Sequence, residues 1–170
     1  GREMTSEDVV YSLKRVLLIN DINSPAWMLG QTLIPDYYRY DGTDPFTSYI
    51  PEENCSMAIW APEIDTVQFN LTAPYPGFLS ILAYTVCSVV SKSFVEANGG
   101  TVPGEQNAWM MEHSCGTGPY WLESMELNNY VNLRSHSEYW DGQASIERVS
   151  IKTVNDEGTR LMMLQNGDAD

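Results

Sequence analysis

Gly116-Thr117-Gly118-Pro119-Tyr120-Trp121-Leu122, with Tyr139-Trp140-Asp141-Gly142 further on, is where the texture of this chain changes. Two glycines permit backbone angles closed to other residues and Pro119 fixes its own φ, so the run is expected to turn and then feed a strand. Past it the pattern is antiparallel β. Residues 120–122, 130–133 and 149–151 read as three strands, and Asn128-Asn129 as the turn between the first two. Asn155 is expected to cap a closing helix over 156–166, which Gly167 ends. The Gly116-x-Gly118 pair is not a phosphate cradle: a third glycine is missing, and Pro119 stands where a helix would have to open.

Upstream the pattern is helical first. Thr5 followed by Glu7 and Asp8 reads as an N-cap with acids in the first turn, and Val9, Leu13, Val16 and Leu17 recur at helical spacing, which predicts a helix over 5–19. Pro25 stops that segment and a short helix over 26–33 follows. Residues 35–55 carry Gly42, Pro45 and Pro51 without periodicity and read as a long surface loop. Tyr37, Tyr38, Tyr40, Phe46 and Tyr49 are expected to pack it down. Residues 57–60 and 67–71 read as a hairpin around Pro62-Glu63-Ile64-Asp65. A short apolar helix over 77–83, a buried strand over 86–90, a helix over 92–98 closed by Gly99-Gly100, and a helical turn within 105–112 complete the pass. The shift from mixed to β-rich pattern places a boundary near 112–116, and no internal repeat occurs.

Composition narrows the function. The chain carries 43% hydrophobic residues, enough for a packed core, and a net charge of −14. Nucleic-acid binders need clustered cations, and Lys14-Arg15 is the one basic pair, so a phosphate-binding surface is excluded. The acidity reads either as a solvated surface or as a funnel for cationic ligands. No stretch approaches the length of a membrane span. Cys55, Cys87 and Cys115 have no CxxC spacing and no histidine pairs beside them, which argues against a metal site. Export would allow one disulfide, with Cys87–Cys115 the pair to test; otherwise all three are unpaired, buried thiols. His113 and His136 are the only histidines and no Gly-x-Ser-x-Gly occurs. His113 lies next but one to Cys115, but catalytic Cys–His pairs are normally joined by the fold rather than by sequence. A hydrolase reading therefore has little to stand on, and the residues point to binding without a cofactor.

The succession Thr5-Ser6-Glu7-Asp8-Val9-Val10-Tyr11-Ser12-Leu13, Asp65-Thr66-Val67, Gly116-Thr117-Gly118-Pro119-Tyr120, Tyr139-Trp140 and Thr159-Arg160…Leu164…Gly167-Asp168…Asp170 resembles the family 5 extracellular solute-binding proteins, receptors of peptide- and nickel-type ABC importers. The resemblance implies an α/β fold like that of the type II periplasmic binding proteins. In it this chain is an internal segment of a longer protein, whose signal peptide and lipid anchor lie outside it. Residues 1–112 would form a small α+β subdomain, and 113–170 part of the first ligand-binding lobe. The implied partners are a small-molecule or peptide ligand and the transmembrane subunits of an ABC permease, in the periplasm or at the cell surface.

Carried over residue by residue, the resemblance puts three stretches towards the ligand cleft: Trp27 and Met28, Tyr84 and Thr85, and Gly116 and Thr117. Each has a plain structural alternative. Trp27 and Met28 would serve as core, Tyr84 as a cap with its hydroxyl in water, and Gly116 and Gly118 as turn residues. Tyr139 and Trp140 are assigned to packing, and Arg160 to a surface ion pair or a helix–sheet contact. The same fold also serves as the ligand-sensing domain of cytoplasmic transcriptional regulators, which is the alternative function.

Overall fold

Helix α1 (Ser6–Ile19) has no face given over to solvent. Val10, Leu13, Leu17 and Ile19 are buried on one side, and Ser6, Asp8 and Ser12 are buried on another. This follows a computed structural model of the chain, which describes residues 3–40 and 49–170. They form two compact units, one up to Gly116 and the other Thr117–Asp170.

In the first unit the apolar side of α1 packs on α2 (Ala26–Leu33), α3 (Glu52–Ala58) and a hairpin of β1 (Ile59–Glu63) and β2 (Thr66–Phe69). Leu13, Leu17, Leu29, Leu33, Ile34, Ile50, Cys55 and Ile59 form the centre of this core, and Phe69 meets Phe78 edge-to-face at 5.1 Å. Burying one such aliphatic side chain is worth about 1.5–3 kcal/mol, so this cluster dominates the stability of the unit. The chain continues through α4 (Phe78–Leu82), a 3-10 turn (Thr85–Cys87), α5 (Lys92–Ala97) and a second 3-10 turn (Trp109–Met111).

The polar side of α1 is satisfied by neighbours distant in sequence. The Asp8 carboxylate, 2% exposed, accepts from the Thr5 amide at 3.1 Å and from the Lys92 amide at 3.0 Å. Ser6 Oγ donates to the Glu63 carbonyl (2.6 Å), and the Val90 amide donates to Ser12 Oγ (2.9 Å). The Tyr11 hydroxyl donates to Glu96 at 2.6 Å. Burial, followed by that carboxylate acceptor, raises its pKa to about 12.

In the second unit β3 (Tyr120–Glu126), β4 (Tyr130–Ser135) and β5 (Arg148–Lys152) form an antiparallel sheet in the order β3-β4-β5, followed by α6 (Glu157–Asn166). Asn128, with φ 62°, makes the β3–β4 turn. Arg134 and Arg148 are direct cross-strand partners, an unfavourable pairing of like charges. Glu123, at a break in the β3–β4 register, lies 3.8 Å from the first guanidinium and 3.2 Å from the second, offsetting the repulsion. Ser135 is the one buried residue of this unit; none of its hydrophobic side chains is buried.

Most of the elements expected from the sequence are present, and several differ. Residues 52–58 are a helix, not loop and strand. Pro51 precedes it and Glu52-Glu53 occupy its first turn, while Cys55 and Ala58 face the core. Residues 86–90 do not join a sheet: the Cys87 and Ser88 amides bond back to the Tyr84 and Thr85 carbonyls in a 3-10 turn, and the Val90 amide bonds to the Ser12 side chain of α1. Asp156, not Asn155, caps α6, its carboxylate accepting from the Thr159 amide at 2.7 Å. Those bonds to Thr159 hold Asp156 below the ordinary carboxylate range. Within 35–55, Tyr40 is buried and Tyr37 half-buried, whereas Tyr38 and Tyr49 are exposed. Gly42, Pro45 and Phe46 lie outside the described residues.

Trp140 is 80% exposed, against the expected packing role, with Tyr139 tilted against it at 5.5 Å. Arg160 donates to the Val154 and Asn155 carbonyls and so holds the approach to α6. All three cysteines are free. Cys55 and Cys87 are buried, but Cys115 is half-buried, so the expectation of three buried thiols fails there.

Two outcomes follow. Asp8→Ala strips the part-buried Thr5 and Lys92 amides of their acceptor and should destabilise the protein by about 1–3 kcal/mol in denaturant titration. Asp8→Asn, which keeps one oxygen, should lose less. Burial pushes the Cys55 thiol up to about 12 and raises that of Cys87. At pH 8 an aromatic disulfide reagent should therefore label Cys115 rapidly and the other two thiols only after unfolding.

Candidate ligand-binding site

At the carboxyl end of α1, Asn20 takes the left-handed conformation (φ 43°) and ends the helix. Its side-chain amide donates to the Tyr40 carbonyl at 2.6 Å, and its oxygen accepts from the Tyr37 hydroxyl at 2.7 Å. The 3-10 turn Tyr37–Tyr40 is thereby fixed against the end of α1. The Tyr37 ring lies so close to α2 that a Cβ on Gly30 would stand 2.1 Å from it, so a mid-helix glycine is required there.

These contacts enclose a cavity of about 260 Å³, lined by Asn20, Asp21, Ser24, Trp27, Gln31, Tyr37 and Tyr38 among others. Trp27 is 47% exposed, which rules out the core reading of its side chain, and Met28 beside it is half-buried. Asp21 is held below the ordinary carboxylate range, chiefly by the Asn23 amide at 2.8 Å and then by the Gln106 side chain.

The second stretch lies elsewhere in the first unit. Tyr84, 49% exposed, leads into the turn Thr85–Cys87; Thr85 is exposed and Cys87 is the buried anchor. Neither lines the Trp27 cavity. Gly116 is exposed beside the Val89 carbonyl, and Thr117 opens the second unit. The expected unusual backbone is absent at both motif glycines. Neither Gly116 nor Gly118 has positive φ, and a Cβ on either would meet only one backbone oxygen, at 3.9 Å. The structure thus places Trp27, but not Met28, in a cavity wall and sets Gly116 beside the segment that follows Thr85. The cavity's other walls, Asn20, Asp21 and Tyr37, carried no periodic or motif signal. Their one sequence cue is the run of tyrosines after Pro35.

His113 stacks on Trp109 at 3.8 Å, with Nδ1 2.9 Å from the Trp109 carbonyl. Among the described residues no group of three His, Cys, Asp or Glu side chains could hold a metal, and no helix is long and apolar enough to cross a membrane.

A helix-led α/β unit, followed in the chain by an antiparallel sheet, has the fold of a segment of the type II periplasmic binding proteins. The chain belongs to the bacterial extracellular solute-binding proteins, family 5: the model described as "Bacterial extracellular solute-binding proteins, family 5 Middle" matches residues 1–170. The glutathione-binding protein GsiB of Salmonella paratyphi A is 31% identical over 105 residues, covering 61% of this chain and 19% of that protein.

Among solved structures, the periplasmic oligopeptide-binding protein OppAIV of Borrelia burgdorferi matches with a TM-score of 0.74 at 22% identity, over 100% of this chain and 31% of that one. A nickel ABC transporter structure from Bacillus halodurans matches with a TM-score of 0.61 at 26% identity, over 100% of this chain and 27% of that one. The chain spans less than a third of the length of each of these proteins.

The open space around the motif glycines gives a direct test. Gly116→Ala and Gly118→Ala should leave stability unchanged or raise it by up to about 1 kcal/mol, because alanine narrows the unfolded ensemble without strain in the fold. Thermal and denaturant melts would show this, and a loss of more than about 1 kcal/mol would mean that the turn itself needs glycine.

Proposed function

We propose that this chain is part of the substrate-binding receptor of an ABC importer that captures small peptides outside the cytoplasm and delivers them to the transmembrane subunits of a permease. The observation that carries the reading is the family match over the whole chain. It is supported by similarity to proteins named for glutathione, itself a tripeptide, and for oligopeptides. A cytoplasmic regulator is not favoured by this family, whose members are extracellular solute-binding proteins, and the family likewise points to binding rather than catalysis.

In this reading residues 1–112 are the small subdomain and 113–170 belong to the first ligand-binding lobe. The absence of buried hydrophobic side chains from Thr117–Asp170 fits a unit completed by further chain. A second lobe closes over the ligand, and the permease recognises the closed state. The ligand can shift that equilibrium only by its preference for the closed form. Trp27, Met28, Tyr84, Thr85, Gly116 and Thr117 are proposed as the contacts of this segment, the aromatic groups supplying apolar wall and Gly116 allowing close approach of a ligand to main chain. The receptor works in the periplasm or at the cell surface, held by a lipid anchor outside this segment.

The test is a thermal-shift and calorimetric screen of the full-length protein against di- to pentapeptides including glutathione, nickel chelates and oligosaccharides. A peptide at a hundred times its Kd should add about 2.7 kcal/mol of stability. Solution scattering should show a smaller radius of gyration with ligand bound. Shifts only with a non-peptide class would change the cargo. A folded protein that answers to none of them would overturn the receptor reading.

A further inference from the structure

The cavity at the end of α1 has a chemistry that the peptide-receptor reading does not by itself require. Three features at its walls favour positive charge. Trp27, Tyr37 and Tyr38 line it with aromatic side chains, a residue type whose ring face attracts cations, and Tyr38 is 73% exposed. The carboxyl end of α1 carries the negative pole of the helix dipole, and no basic residue occupies its last turn to neutralise it.

The third feature is Asp21. An ionised carboxylate offers about four acceptor positions. Among the described residues, the Asn23 amide uses one on Oδ1, the Gln106 side chain one on Oδ2, and the Asn23 side chain bonds the carboxylate as well, which leaves one acceptor position open. These partners orient the carboxylate and hold it below the ordinary carboxylate range. No Lys, Arg or His lines the cavity among the described residues. Arg39 lies 5.9 Å from the centroid of the Tyr40 ring, which borders this cavity, but its own side chain lines a different one, with Asp36 and Asn54.

We infer that this cavity is a cation-selective subsite that takes an ammonium or guanidinium group of the bound ligand, a Lys or Arg side chain in the case of a peptide. The inference rests on the peptide-receptor reading and adds to it a preference set by residues of this chain. The cation would sit against the Trp27 and Tyr38 rings and donate to the open position on Asp21.

The experiment uses the full-length protein and alanine tripeptides carrying Lys, norleucine or Glu at each position in turn, titrated by calorimetry at neutral pH and low salt. At one position Lys should bind roughly tenfold more tightly than norleucine, and Glu more weakly than either. Asp21→Asn, which keeps an oxygen for the Asn23 amide, should bring Lys and norleucine to within about twofold of each other. Tyr38→Leu, at an exposed ring, should cut the Lys advantage by roughly threefold while leaving the melting temperature unchanged. Equal binding of Lys, norleucine and Glu peptides at every position would overturn the subsite and leave the peptide receptor standing. So would a Lys preference undiminished in both variants. A folded protein that binds none of the peptides would overturn both.

Discussion

The carboxylate of Asp8 ties two parts of the chain together: it accepts the Thr5 amide at the start of its own helix and the Lys92 amide 84 residues later. Helix α1 could not be buried on its polar side without such partners, since an unpaired polar group in a dry site costs about 1–3 kcal/mol. Each buried polar group there is met by backbone from another segment. Ser6 takes the hairpin at Glu63, Ser12 takes Val90, and Asp8 takes Lys92. The helix thus acts on its polar side as a strand would, and the segment leading to α5 runs along it. Its other end is organised in the same manner, with Asn20 holding Tyr37 and Tyr40. The position of the aromatic cavity is therefore set by the helix that sets the core.

What could be read in the sequence was what repeats. The apolar spacing of Val9, Leu13, Val16 and Leu17, the alternation of Val67, Phe69 and Leu71, and the three runs after Gly118 each report a regular element, and each is present, the second ending at Phe69 and leaving Leu71 outside it. What could not be read was the interaction of side chain with distant backbone. Val86 to Val90 has the composition of a buried strand, but it opens in a 3-10 turn and ends with the Val90 amide on the Ser12 side chain of α1. Helix α3 is too short for periodicity to mark, and Pro51, which opens it, looks from sequence like a loop residue. The candidate site was legible only at Trp27. Asn20, Asp21 and Tyr37 join it through a helix end and a 3-10 turn, which no local pattern announces.

The net charge of −14 was compatible with a solvated surface or with an acidic funnel. The structure separates local uses of that charge. Glu123 answers two arginines that the β-ladder forces together, and Asp156 caps α6. Asp8 is internal. Asp21 differs from these in lying at an open, aromatic-walled cavity with acceptor capacity to spare among the described residues. Total charge acts over a Debye length and is screened by salt. A single oriented carboxylate between rings acts at contact distance, so it, rather than the overall acidity, carries selectivity.

A large exposed aromatic is by itself unremarkable, since more than half of a folded protein's surface is apolar. Trp27 carries more weight because its ring borders a concavity whose other walls are braced by hydrogen bonds, so the shape persists without a ligand. The motif glycines point the same way from the opposite direction. Gly30 and Gly116 are both glycines, yet only Gly30 is demanded by its own fold, through the Tyr37 ring. At Gly116 and Gly118 the backbone is ordinary and the space beside it open. A residue type that packing and φ leave free is available for selection by something outside the chain. Under the receptor reading proposed above, a ligand approaching main chain at Gly116 is such an agent.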